Sequence, residues 1–280
     1  MAAGTLLDVR NLRVTFDTRK GPVEAVRGIS FALGREKLGI VGESGSGKSQ
    51  TGRSILGLTP PPGRVEADVI DFAGVDLVRA SGAEMRAIRG KRISMVMQDP
   101  KFSLNPVMQV GDQIVEAFQA HGGISLPSAR EKALEMLNAV RIRNPERVMR
   151  AYPHEVSGGM GQRIMIAMML APDPDILIAD EPTSALDVTV QLQVLAILDD
   201  LVTQRGMGLI FISHDLPLVA TFCDRVLVMY AGRIVEEVAA KDLAAAKHPY
   251  TRGLMNCLPR LDDQHGMLPV LDRDPAWLDT

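Results

Sequence analysis

From Leu6 to Phe16 apolar positions alternate with polar ones, at Leu7, Val9, Leu12, Val14 and Phe16, and the alternation resumes from Val23 to Leu33 after Lys20-Gly21-Pro22. A period of two turns one face of a strand inward, so two such runs around a Gly-Pro turn predict an antiparallel pair. Leu38-Gly-Ile-Val41 is a short continuous apolar run, the pattern of a strand covered on both faces. A glycine-rich stretch and then a helix follow it, and Pro60-Pro61-Pro62-Gly63 ends that helix. Ile93-Ser-Met-Val-Met97 predicts the next strand, which stops at Gln98. Between about Val110 and Ala151 the period becomes helical, with Pro127 near the start of a stretch that aligns Leu134, Leu137 and Val140, and a helical insert is expected there. After Pro172 a strand at 176–179, a helix at 190–201 and a strand at 209–212 alternate, which predicts βαβ units and a mostly parallel sheet. Residues 226–230, Ala231-Gly232 and residues 233–238 read as a closing hairpin. From Leu261 the chain is acidic and interrupted by proline, so residues 261–280, with Trp277, are expected to form a solvated extension.

The chain of 280 residues is an α/β protein by this pattern, of a length that suits one large domain or two small ones, and its 46% hydrophobic and 23% charged content is that of a globular protein. Thirty-one basic against 34 acidic residues leave a charge of −3, so no overall positive field holds nucleic acid or anionic lipid. The longest useful apolar run, Ile164 to Ala171, is eight residues, against about 20 for a membrane-spanning helix. Cys223 and Cys257 are too few for a disulfide framework or a four-cysteine cluster. The first residues lack the basic stretch and apolar core of a secretion signal, and a cytosolic setting with reduced thiols is expected.

Gly42-Glu43-Ser44-Gly45-Ser46-Gly47-Lys48-Ser49 has P-loop spacing, and it stands between a predicted strand and a predicted helix. Glycines there let the backbone curl until successive amides and the helix N-terminus face phosphate oxygens. In such a loop Lys48 reaches the β- and γ-phosphates and the Ser49 hydroxyl is a Mg²⁺ ligand, and Gln50 is counted with residues 42–49 among those that contact the nucleotide. The second element is the apolar run 176–179 that ends in Asp180-Glu181, two carboxylates at the C-terminal end of a strand, where ligands of parallel sheets bind. Asp180 would hold Mg²⁺ and Glu181 would orient and polarise the attacking water.

Val156-Ser157-Gly158-Gly159-Met160 reads as a capped helix start: a hydroxyl cap at Ser157, glycines that allow close backbone approach, and a helix dipole that favours anionic charge. With the P-loop, the strand acids, Phe16, Gln98, Ser184-Ala-Leu-Asp187 and His214 in this order, residues 5–260 resemble ABC-type ATPases. The resemblance implies a P-loop nucleotide-binding domain with a mostly parallel core sheet, an antiparallel β-subdomain and a helical subdomain at about 100–160. It implies that Phe16 stacks on adenine, that Gln98 links Mg²⁺ and the attacking water to the helical insert, and that His214 contacts the γ-phosphate. It further implies that Asp187 touches a second cassette, and that each ATP lies between the P-loop of one subunit and the Ser-Gly-Gly of another.

Gln98-Asp-Pro100, Ser103-Leu-Asn-Pro106, Tyr152-Pro-His-Glu155 and His248-Pro-Tyr-Thr-Arg-Gly-Leu254 resemble the branch that energises uptake of oligopeptides, dipeptides and nickel. That branch usually has arginine at the place of Gly161, and some of its members carry a cysteine-rich iron–sulfur segment where this chain has only Cys257, so no cluster is expected. The implied partners are two membrane-spanning permease subunits, a second cassette, identical or related, and indirectly an extracytoplasmic solute-binding protein, with no nucleic acid. The implied place is the cytoplasmic face of the inner membrane. Alternatives are an importer of nickel or another small solute, a soluble ABC-type ATPase of DNA repair or translation, which would carry a coiled-coil insertion or a second cassette, and a small-molecule kinase.

Overall fold

The computed structural model describes residues 4–257 with Asp274 and Trp277, and only the backbone at 101 and 102. The described chain divides into two units: one drawn from residues up to Val78 and from Phe211 on, the other from Arg79–Ile210.

In the first unit β1 (Leu7–Thr18) and β2 (Gly21–Leu33) form the expected antiparallel pair, with Leu7 opposite Leu33 and Thr18 opposite Gly21. Val9 and Leu12 are both fully buried although three positions apart. The register shifts between them, with Asn11 at φ +50, and this bulge lets both face the core. β3 (Lys37–Val41) is buried from Leu38 onward and runs through the glycine-rich loop into α1 (Lys48–Ile55). β4 (Gly63–Glu66) and β5 (Val69–Phe72) pair with β1, and β6 (Val75–Asp76) pairs with β5. No periodicity announces these three, because two to four residues are too few to establish a period.

The second unit opens with α2 (Gly82–Ile88), fixed by a reciprocal capping box in which Ser81 and Glu84 each accept the other's amide proton. β7 (Ile93–Val96) follows, then α3 (Pro100–Ser103), α4 (Val110–Gln119), α5 (Leu126–Ala139) and α6 (Pro145–Val148). After a 3₁₀ turn at Pro153–Glu155 come α7 (Gly158–Leu170), β8 (Ile176–Asp180), α8 (Val188–Arg205) and β9 (Gly208–Ser213). β7 and β8 are parallel, with Ile93 opposite Ile176, and the strand order is β9-β8-β7. Every residue of these strands is buried, as continuous apolar runs require. The apolar run of α7 is packed by α4, α5 and α8, so Ile164, Met165, Ile166 and Leu170 are all fully buried.

The unit boundary falls inside β9. Back in the first unit, α9 (Leu216–Phe222) leads to β10 (Arg225–Tyr230), parallel to β3 and antiparallel to β11 (Arg233–Ala239), the predicted hairpin. A 3₁₀ segment, Ala240–Ala245, precedes α10 (Pro249–Asn256). Most of the expected 261–280 extension, including Asp262, Asp263, Asp272 and Asp279, lies outside the described residues. Trp277 departs from a fully solvated extension: it is half-buried, with its ring edge-on to Tyr230 and Tyr250 at 5.8 and 5.9 Å between centroids.

Candidate active site

The loop after β3 holds its shape through backbone contacts that only glycine permits. Gly42 has φ +151, and a Cβ there would lie 2.1 Å from the Met229 carbonyl oxygen; at Gly47, φ +101, it would lie 2.4 Å from that of Ala25. Lys48 is buried, and its ammonium donates to the carbonyls of Gly42 and Glu43 at 2.7 and 2.8 Å. Gly47 N-caps α1 with no side-chain bond, so the first turn of the helix follows directly on the glycine-rich loop. Ser46 Oγ is buried and has no hydrogen-bond partner within the protein. A buried orphan hydroxyl beside a glycine cradle and a buried ammonium fits a phosphate group in oxygen content and charge. Ser49 and Gln50 are half-buried on the first turn of α1, while Ser44 and Gly45 are exposed.

Elsewhere in the same unit Phe16 is half-buried, its ring laid where a side chain at Gly63 would stand, 2.7 Å from the built Cβ. Its neighbour across the sheet is Gly63 itself, so one strand pairing leaves the ring a flat, partly open face. His214 is exposed directly after β9, ahead of Asp215, which caps α9 by accepting from the Leu218 amide at 3.0 Å.

In the second unit β8 delivers its carboxylates as the sequence implies. Asp180 is 3% exposed at the end of the strand. Glu181 follows with φ +47, a left-handed conformation that costs a non-glycine residue about 1 kcal/mol or more and clusters at functional sites. The turn is tied by Ser184, whose amide and hydroxyl donate to the Glu181 carbonyl at 3.3 and 3.2 Å. The Gln98 amide donates to Glu181 Oε2 at 3.2 Å. Two residues 83 apart in the chain are thus brought together because β7 and β8 are neighbours in register.

Ser157 N-caps α7, accepting from the Met160 amide at 3.4 Å, and Asp187 N-caps α8, accepting from Val190 at 3.0 Å. Both caps are exposed. The two glycines of this motif differ: a Cβ at Gly158 meets nothing within 4 Å, whereas one at Gly159 would lie 2.5 Å from Val190 Cγ1. Close approach by an anion is therefore available at Gly158, and Gly159 is required by the packing of α7 on α8. Gly161 lines a cavity of about 230 Å³ with Pro100, Leu104, Val156, Pro182 and Leu186.

Two residues escaped the sequence reading. Gln113 of α4 is buried and clamps the Ser103–Pro106 motif: it accepts from the Asn105 amide at 2.8 Å and donates to the Asn105 and Met108 carbonyls at 3.0 Å. Tyr250 is fully buried, and its hydroxyl accepts from the Glu43 amide at 3.1 Å. A lone glutamine in a helical pattern gives no signal, but the His248-Pro-Tyr motif marked the place of Tyr250.

The family model described as ABC transporter matches residues 26–184, more than half of the chain. The chain belongs to the ABC transporter family. It is 51% identical, over 98% of its length and 84% of the relative's, to a probable peptide ABC transporter ATP-binding protein of Sinorhizobium fredii. It is 49% identical, over 98% and 82%, to a dipeptide transport ATP-binding protein of Bacillus subtilis. Among solved structures it resembles a dimeric ATP-binding cassette in a post-hydrolysis state with ADP and Pi, at 26% identity and a TM-score of 0.75, over 84% of this chain and 98% of that one. As an ABC ATPase the chain binds and hydrolyses ATP to energise transport. The soluble-repair and kinase alternatives fall away.

Proposed function

We propose that this ABC ATPase energises an importer of short peptides. It works as a dimer of cassettes at the cytoplasmic face of the inner membrane, beneath two membrane-spanning subunits served by an extracytoplasmic solute-binding protein. The peptide-transport names of relatives at 49–51% identity favour peptides over nickel. No described helix is long and apolar enough to cross a membrane, in keeping with a peripheral subunit.

The observation that carries the catalytic assignment is the Gln98–Glu181 contact at the end of β8. Glu181, aimed by its left-handed backbone, accepts the proton of the attacking water as general base. Gln98 orients that water and passes the state of the site to the helices between about 100 and 160, whose motion drives the membrane subunits. Lys48, the loop amides and the orphan Ser46 hydroxyl hold the phosphates, His214 contacts the γ-phosphate, and Phe16 stacks on adenine. Each unit carries oxygen donors suited to Mg²⁺, Ser49 in the first and Gln98 and Asp180 in the second. When bound, Mg²⁺ neutralises charge on the β- and γ-phosphate oxygens. Ser157 and Gly158 serve the nucleotide of the partner cassette, and Asp187 meets that cassette. Residues 5–260 make up the cassette.

Glu181→Gln tests this directly. ATP affinity should stay within about threefold while turnover falls by roughly 100-fold or more. The variant purified from detergent-solubilised membranes with ATP should bring permease subunits and a second cassette with it. Unchanged turnover removes Glu181 as the base; recovery with nucleic acid or ribosomal proteins removes the importer.

A further inference from the structure

The peptide group between Gly42 and Glu43 is held from both of its polar ends. Its carbonyl, on Gly42, accepts from Lys48 Nζ at 2.7 Å, and its N–H, on Glu43, donates to Tyr250 Oη at 3.1 Å. The next carbonyl, on Glu43, takes a second bond from the same ammonium at 2.8 Å. The orientation of one peptide plane therefore sets where the Lys48 ammonium rests, and a side chain 207 residues away sets the plane.

Tyr250 is built to do this. His248 N-caps α10, its Nδ1 accepting from the Tyr250 amide at 3.2 Å, and Pro249 takes the first helical position, where a missing N–H costs nothing. Glu236 of β11 accepts from the amides of Lys247 and His248 and fixes the approach to the helix. The Tyr250 ring packs at 4.5 Å on Tyr230, the last residue of β10, and at 5.9 Å on Trp277. With 0% exposure, the ring cannot turn its hydroxyl toward water, so the hydroxyl stays aimed at the loop. Packing alone would be served equally by phenylalanine, whereas the hydroxyl adds the bond to the loop.

We infer that Tyr250 is a positioning residue for Lys48, acting through the Gly42–Glu43 peptide, and that the His248-Pro-Tyr motif exists in this chain to present it. The inference rests on the nucleotide role of Lys48. Tyr250→Phe keeps the ring and removes only the hydroxyl. In the full chain, Mg-ATP affinity should fall about three- to tenfold, the worth of one neutral hydrogen bond. KM should rise while kcat changes by less than about twofold, and the melting temperature without nucleotide should fall by only a few degrees, the cost of one lost buried hydrogen bond. In a Lys48→Ala background the same substitution should cost no further affinity, because its effect passes through the ammonium. Hydrogen exchange of the Glu43 amide gives a reading free of nucleotide: protected in the parent protein, faster in Tyr250→Phe.

Wild-type affinity in Tyr250→Phe, an equal loss with and without Lys48, or an unprotected Glu43 amide in the parent protein would each overturn the inference alone. Failure of the parent protein to bind Mg-ATP would overturn the nucleotide reading and this inference with it.

Discussion

The two glycines at the start of α7 make a paired test of packing, because they are adjacent and differ only in what faces them. An alanine at Gly159 puts its Cβ 2.5 Å from Val190 Cγ1, where carbon atoms ordinarily rest at about 3.5–4.0 Å, so roughly 1 Å of movement is required. Val190 is β-branched, sits in the first turn of α8 and is half-buried, and its amide is tied to Asp187. It cannot rotate away freely. Overpacking of this degree costs about 1–3 kcal/mol, against up to about 1 kcal/mol returned by the better helix propensity of alanine. Gly158→Ala meets no atom within 4 Å and keeps only the favourable part. The pair should therefore differ by about 1–3 kcal/mol in urea unfolding of the nucleotide-free protein, followed by far-ultraviolet circular dichroism. Val190→Ala should recover most of the loss in Gly159→Ala, a coupling of about 1–2 kcal/mol in the double-mutant cycle. Equal stability of the two alanine variants, or strict additivity with Val190→Ala, would refute the argument. Under the proposed role of Gly158 toward the partner cassette's nucleotide, Gly158→Ala should nevertheless lose turnover.

Gly42→Ala should unfold or misfold the first unit, by about 3 kcal/mol or more, since its Cβ meets a backbone carbonyl at 2.1 Å in a left-handed conformation; soluble protein with full ATP binding would contradict this. Burial pushes the Cys223 thiol up to about 12, with Lys37 pulling it down and Asp224 pushing it up. Because the folded value lies above the unfolded one, about 8.5, the neutral thiol's contribution is complete below that pH and is lost as pH rises toward 12. Iodoacetamide at pH 8 should accordingly modify Cys257, which is partly exposed, and spare Cys223 until urea unfolds the chain; mass spectrometry of the alkylated peptides reads the outcome.

Much of the fold was legible because its signals are local. Continuous apolar runs marked β3, β7, β8 and β9, alternation marked β1 and β2, and glycine spacing between a strand and a helix marked the phosphate loop. The short strands β4 to β6 and the helix α2 were missed, since each is held by its neighbours or a cap and not by a period of its own. The candidate site residues were legible as motifs, yet their reasons were not. Gly158 and Gly159 look equivalent in sequence, and only Val190 separates them. Trp277 reads as part of an acidic tail, and its ring lies against Tyr230 and Tyr250.

What the chain of letters determined by itself is the order of elements and the groups each delivers: a glycine-rich loop of phosphate-binding spacing at 42–49, two carboxylates at 180–181, and a capped helix start at 157. These follow from backbone preference and side-chain type within a few residues, which is all that local physics needs. Tertiary structure decided the pairings across long stretches of chain. The parallel register of β7 and β8 puts Gln98 on Glu181, and the packing of α10 behind the phosphate loop puts the Tyr250 hydroxyl on Glu43. Neither contact has a sequence signature, because a hydrogen bond between residues 83 or 207 apart depends on where the intervening core places their backbones.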